Sequence, residues 1–222
     1  EAERDALGSR RDSSCATISE MNTGQTTAES TSPTPVLHVI AASFRPEVPD
    51  DLVSATLAKA RALREAPGAR SGLVAHSGTS VIVATWLDGK GGLEPFAASA
   101  PHMEFVMRGL APSISSMWSA GVETPVGPPP VEDATVLWAF AVRTADTAFE
   151  WQVRDVLASL DGLPAVVAAG PTFEERDRYR AGGVACVRAE DLDTFRAALD
   201  EVRERWGEMR PHVVESFAEV VG

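Results

Sequence analysis

Val36-Leu37-His38-Val39-Ile40-Ala41-Ala42-Ser43-Phe44 is an unbroken β-branched and apolar run bounded by Pro35 and Pro46. Val136-Leu137-Trp138-Ala139-Phe140-Ala141-Val142 repeats its pattern about a hundred residues later. Two further landmarks recur in the same order and at nearly the same offset. Leu93-Glu94-Pro95-Phe96 matches Leu192-Asp193-Thr194-Phe195, and Ala111-Pro112-Ser113 matches Arg210-Pro211-His212. A constant offset across three landmarks implies two copies of one module. Each first strand is apolar at successive positions, not at alternate ones, so each is expected to be covered on both faces.

The chain has 222 residues, with 20 basic and 32 acidic side chains and a formal net charge of −12. That balance repels phosphate backbones and anionic lipid surfaces, so nucleic acid and membranes are not expected partners. Cys15 lies in a polar stretch and Cys186 in an apolar one, which supplies neither a disulfide framework nor a zinc ligand pair. The expected compartment is a reducing cytoplasm. Residues 1–35 hold no apolar run of signal-peptide or membrane-span length and are read as a disordered tail, poor in apolar surface and rich in Ser, Thr and Pro after Asn22. Met21 is a candidate natural start.

Outward from the first strand, Asp50 and Asp51 open a helix with the stripe Leu52, Val53, Leu57, Ala60 and Leu63, stopped by Pro67-Gly68. Ser71–Ser77 and Ser80–Leu87 read as a hairpin turning at Gly78-Thr79, where glycine would supply positive φ. Leu93–Leu110 reads as a helix interrupted at Pro101, which belongs in the first turn of a second segment. Ile114–Val122 is a last strand. The proline-rich stretch 124–133 is a stiff linker. Beyond it come a strand at Val136, a helix with Thr147 and Glu150 as a capping box, strands at Pro164–Ala169 and Gly182–Val187, a helix with Phe195, Leu199, Val202 and Trp206, and a closing strand at Val213–Val221. The run Glu174–Arg178 is a solvated loop.

Each half is therefore β-α-β-β-α-β, an α+β unit whose helices cover only one sheet face. Packing the two open faces together would give an intrachain pseudo-dimeric α/β barrel of tandem ferredoxin-like modules, spanning 36–123 and 134–222. The chain would be a monomeric pseudo-dimer or pair again as a homodimer.

Ala66-Pro67-Gly68, Ala84-Thr85-Trp86-Leu87-Asp88 and Ser99-Ala100-Pro101-His102 with Phe105 resemble the antibiotic-biosynthesis monooxygenase module. Leu163-Pro164, Gly182-Gly183-Val184, Leu192–Phe195 and Arg210-Pro211-His212-Val213-Val214-Glu215 are similar to the stress-responsive Dabb module. Both belong to the dimeric α/β-barrel superfamily. The resemblance implies a small pocket within a module, used in relatives for cofactor-independent oxygenation of polycyclic aromatics, haem breakdown, isomerisation, or no known chemistry. Trp86 falls where the monooxygenases often carry Trp, whereas Ile82 and Gly92 stand where anthrone oxygenases have Asn and Tyr. Phe96 and Val106 stand near the helix Trp and the ligating His of the haem-degrading branch, so haem is not assigned.

His38 shares a strand face with Val36, Ile40 and Ala42; if that face lines the barrel interior, its imidazole is a candidate base toward a phenolic or enolic proton. His102 follows Pro101 at a helix start, where the dipole favours a neutral, proton-accepting ring. Structural hydrogen bonding for His38 and a capping role for His102 are the competing readings. Trp86, Trp118 and Trp138 lie on strands and are candidate walls for a planar ligand, or core. Trp206 fits a helix stripe and reads as core, and His76 reads as exposed near the hairpin turn. No histidine spacing signals metal, and no cofactor is implied. The expectation is a cofactor-independent monooxygenase-like protein acting on or binding a small aromatic or polyketide-type molecule. The alternative is a non-enzymatic stress-responsive or ligand-binding barrel.

Overall fold

In the computed structural model, strand β1 (Val36–Phe44) leads into helix α1 (Asp50–Ala62), followed by β2 (Ala69–Ser77) and β3 (Ser80–Leu87). A broken helical segment follows: α2 (Leu93–Ala97), α3 (Ala100–Met103), a wide π-helical stretch over Glu104–Leu110, and the single turn α4 (Ala111–Ser113). Then comes β4 (Ile114–Glu123). The second half contains β5 (Val136–Arg143), α5 (Glu150–Ala158), β6 (Val166–Pro171), β7 (Tyr179–Val187), α6 (Leu192–Trp206) and β8 (Val213–Val220). The structure describes residues 33–130, 134–143, 150–173 and 179–221. The tail 1–32, the linker end 131–133, Thr147 of the expected capping box and the acidic run 174–178 lie outside them.

The strand order is β4-β1-β3-β2-β8-β5-β7-β6, with antiparallel pairing between neighbours. It contains the ferredoxin-like order twice, so the fold is α+β with tandem ferredoxin-like modules. The modules join at two equivalent seams. At one, β2 meets β8 through Ala75↔Val220 and His76↔Glu219. At the other, Val122 of β4 bridges Thr172, just past β6, and the Phe173 N–H donates to the Gly121 carbonyl at 3.4 Å. The ends of the eight-strand order therefore meet, and the sheet closes as an intrachain barrel.

Strand alternation sorts the side chains into three layers. Leu37, Val39, Ile82, Ala84 and Trp86 of the first module pack with Leu137, Ala139, Val184 and Cys186 of the second inside the barrel. Val36, Ile40 and Ala42 face outward onto Leu57, Ala60, Phe96 and Phe105 of the helical layer. In the second module Phe140 and Val142 face Val153, Val156, Phe195, Leu199 and Val202. Each buried Val, Leu or Phe contributes about 1.5–3 kcal/mol; three such layers account for first strands that are apolar at nearly every position. Residues 124–130 do more than space the modules. Val126 packs against the interior layer, and its carbonyl accepts from Trp86 Nε1 at 3.1 Å.

Two local expectations differ from the structure. Gly78 turns the β2–β3 hairpin without positive φ, and the turn is held instead by Ser77 Oγ and Ser80 Oγ at 2.7 Å. His76 is half-buried, with its ring edge-on to Phe44 at 5.9 Å, because the β2–β8 seam covers that end of the hairpin. Among the described residues no helix is long and apolar enough to cross a membrane.

The β4–β6 seam depends on close backbone approach at Gly170, where a Cβ would collide with the Glu123 carbonyl oxygen. A Gly170→Ala substitution is expected to destabilise the fold by about 1–3 kcal/mol in urea unfolding. Gly78→Ala, which meets nothing within 4 Å, serves as the neutral comparison. Equal stability of the two variants would show that the seam is not tightly closed.

Candidate functional site

The helix-facing side of β1 places His38 beside Ile40 under the broken helical segment. The condition set for His38, that its face line the barrel interior, is not met: that interior takes Leu37, Val39 and Ala41, and one step along a strand reverses the face. The helix break positions the second histidine. Ser99 caps α3, with Oγ accepting from the His102 N–H at 3.3 Å and donating to the Phe96 carbonyl at 2.6 Å. Pro101 occupies the first turn, as its missing donor requires. His102 Nδ1 then lies 2.9 Å from the Ala97 carbonyl. A carbonyl only accepts, so Nδ1 carries a proton and the neutral ring keeps its lone pair on Nε2.

Phe96, fully buried, forms a triangle of mutually contacting rings with the two imidazoles. Its ring centroid is 5.8 Å from His38 and 5.1 Å from His102, and the imidazoles are 6.4 Å apart. Together they line a pocket of about 520 Å³ whose other walls include Ile40, Val106 and Met117, a size suited to a small planar molecule. A cleft of about 460 Å³ between the linker and β6 contains no histidine. Among the described residues no three His, Cys, Asp or Glu side chains converge as metal ligands.

Burial holds His38 well below its ordinary value, at about 4, with a smaller contribution from repulsion by His102. Among the described residues, His38 Nδ1 is buried without a hydrogen-bond partner. His102 is also lowered by burial, while its bond to the Ala97 carbonyl acts in the opposite direction. Both rings are therefore neutral at neutral pH. His102, half-buried with its tautomer set, is the better placed proton acceptor; a ring titrating near 4 is a weak base at pH 7.

The second module fills the equivalent space. Trp138, the counterpart of His38, stacks on Phe140 at 4.9 Å and Trp206 at 6.4 Å and lies 6.0 Å from Phe195. Phe217 pairs with Trp138 in the register position where Gly121 pairs with His38. Trp138 Nε1 donates to Glu215 Oε2 at 3.0 Å, and that carboxylate is held by Arg203 at 2.7 Å and by Arg210. Trp138 is thus packed into a solid aromatic layer.

The structure brings His38 and His102 together and sets the three strand tryptophans apart from them. Trp86 is fully buried inside the barrel, on the opposite sheet face from His38. Trp118 packs against the same interior layer, 6.1 Å from Tyr179. Sequence reasoning missed Phe96 as the shared wall, since its repeat partner Phe195 marks it only as core. It also missed Lys90, which lines the pocket from a glycine-rich turn and carries no periodic signal.

No family model and no curated protein sequence matches the chain. Among solved structures, an anthrone oxidase-like protein is similar over 85% of this chain and 92% of its own, with a TM-score of 0.60 and 9% identity. A candidate monooxygenase from Lactobacillus acidophilus aligns over 85% and 93% of the two chains, with a TM-score of 0.49 and 15% identity. One from Fusobacterium nucleatum aligns over 85% and 92%, with a TM-score of 0.48 and 11% identity. The first of these similarities shows a shared fold, the ferredoxin-like α/β barrel.

Proposed function

We propose that the first module binds a small planar aromatic molecule between β1 and the broken helix and oxygenates an acidic C–H group on it. The observation that carries this reading is the convergence of two neutral imidazoles on Phe96 in an open pocket, at a place where the second module is packed solid. His102 Nε2 takes a proton from a methylene flanked by aromatic rings, leaving a carbanion delocalised onto the ring system. Dioxygen adds to that carbon. The resulting hydroperoxide loses water, so CH2 becomes C=O, with one oxygen atom retained and the other released as water. The proton held by His102 leaves with the water. Phe96, buried against both imidazoles, fixes their spacing, and His38 stays neutral as a polar neighbour. The name of the structurally similar anthrone oxidase-like protein makes an anthrone the first substrate to test.

In oxygen-uptake assays with anthrone, His102→Ala is expected to lower kcat/KM by about 10²–10⁴-fold and His38→Ala by about tenfold, with Trp86→Phe within about twofold of wild type. Wild-type turnover in His102→Ala would overturn the reading. Saturable anthrone binding without oxygen uptake would leave the non-enzymatic ligand-binding barrel in its place.

The histidines also set a pH dependence. A base with a lowered pKa makes kcat/KM rise with pH through an apparent value below 6.5 and then level off; a fall over that range would contradict it. For stability, His38 titrates near 4 when folded and near 6.5 when unfolded, so the unfolded chain binds the extra proton between those limits. Acidification from pH 6.5 to 4 is expected to cost up to about 3 kcal/mol through this group. Urea unfolding at pH 7 and 4.5 should show His38→Leu losing less stability on acidification than wild type.

A further inference from the structure

The second module contacts two residues of the first that border the histidine pocket, Lys90 and Gly121. Phe173 donates its N–H to the carbonyl of Gly121, the residue paired with His38, and its side chain packs onto the helix-side layer of the first module. Lys90 lines the pocket, with Nζ 5.2 Å above the centroid of the Phe173 ring and 3.1 Å from Glu123 Oε2. Among the described residues lining the pocket, Lys90 is the one permanent cation and Glu94 the one carboxylate.

We propose that Lys90, seated on the Phe173 ring of the second module, is the anchor for the anionic group of a planar aromatic acid. This deepens the small-molecule reading of the pocket and rests on it. A planar ligand in this pocket has two neutral imidazoles near its ring, and neither offers a full charge for a carboxylate, sulfonate or phenolate. Lys90 does. Its bond to Glu123 is between half-exposed groups, 52% and 43% accessible, and water screens such a pair. A ligand anion can therefore share or replace Glu123 at Nζ, while the Phe173 face keeps the ammonium in place. The second module thus supplies a positioning residue to a site whose proton acceptor belongs to the first.

The experiment is calorimetric titration of the full chain at pH 7.5 with 2-naphthoate and its neutral near-isostere 2-naphthamide. The expected result is binding of both, with naphthoate preferred by roughly tenfold and the preference shrinking at 0.5 M NaCl. Lys90→Met is expected to abolish the preference, bringing the two Kd values together; Phe173→Leu, which keeps bulk but removes the π face, is expected to reduce the preference. Equal wild-type affinity for the two probes, or a preference insensitive to salt and to Lys90→Met, would overturn the anchor while leaving the pocket reading standing. Failure of both probes to bind wild type would overturn the pocket reading and the anchor together. The salt dependence of wild type separates these outcomes without any variant having to fold.

Discussion

Each module has two sheet faces to bury and helices for only one, and closing the two remaining faces on each other is the constraint on which everything else depends. The closure needs seams, not only packing. Val122↔Thr172 and Ala75↔Val220 pair the edge strands that would otherwise expose unpaired backbone groups. The interior then has to be filled, and Trp86 with the small residues Ala41, Ala84 and Ala139 fills it. A ligand site is therefore displaced to the other side of the sheet, between strands and helices.

There the two modules diverge. Both present a strand residue at the same register, and in one it is a half-buried His38 opposite Gly121, in the other a fully buried Trp138 opposite Phe217. Replacing an imidazole and a glycine by two large rings converts a pocket into a core. The converted side gains a stacked aromatic layer and a carboxylate, Glu215, satisfied by Arg203, Arg210 and the Trp138 indole. On the open side, His38 Nδ1 has no hydrogen-bond partner among the described residues, a cost the solid aromatic layer of the second module avoids. The second module is thus more than a copy. It closes the barrel, and its Phe173 ring lies under Lys90, which lines the pocket of the first.

Much of the fold was legible in the repeat. Val36–Phe44 and Val136–Val142 are apolar at almost every position, which signals burial on both faces, and the Pro101 break placed His102 at a capped helix start. The same continuity hid which face His38 occupies, because alternation carries no information when both faces are apolar. The strand position of Trp86 was equally clear, but only the closed barrel shows that its face is opposite that of His38. The π-helical stretch at Glu104–Leu110 and the Lys90–Phe173 contact arise from tertiary packing and leave no periodic trace. The difference between His38 and Trp138 was visible in the repeat itself, and the structure explains it as open pocket against filled core.

The central claim is that a planar ligand sits in the pocket lined by His38 and His102, on the helix side of the sheet, and not in the barrel interior. Long-range ¹H–¹⁵N spectra of the histidine rings, recorded during titration with 2-naphthol, test it most directly. The expected result is a free-state His102 protonated on Nδ1, with saturable shifts at His38 and His102 and none at His76 or His212. Unshifted His38 and His102 signals at saturating ligand, or a His102 ring protonated on Nε2, would contradict it.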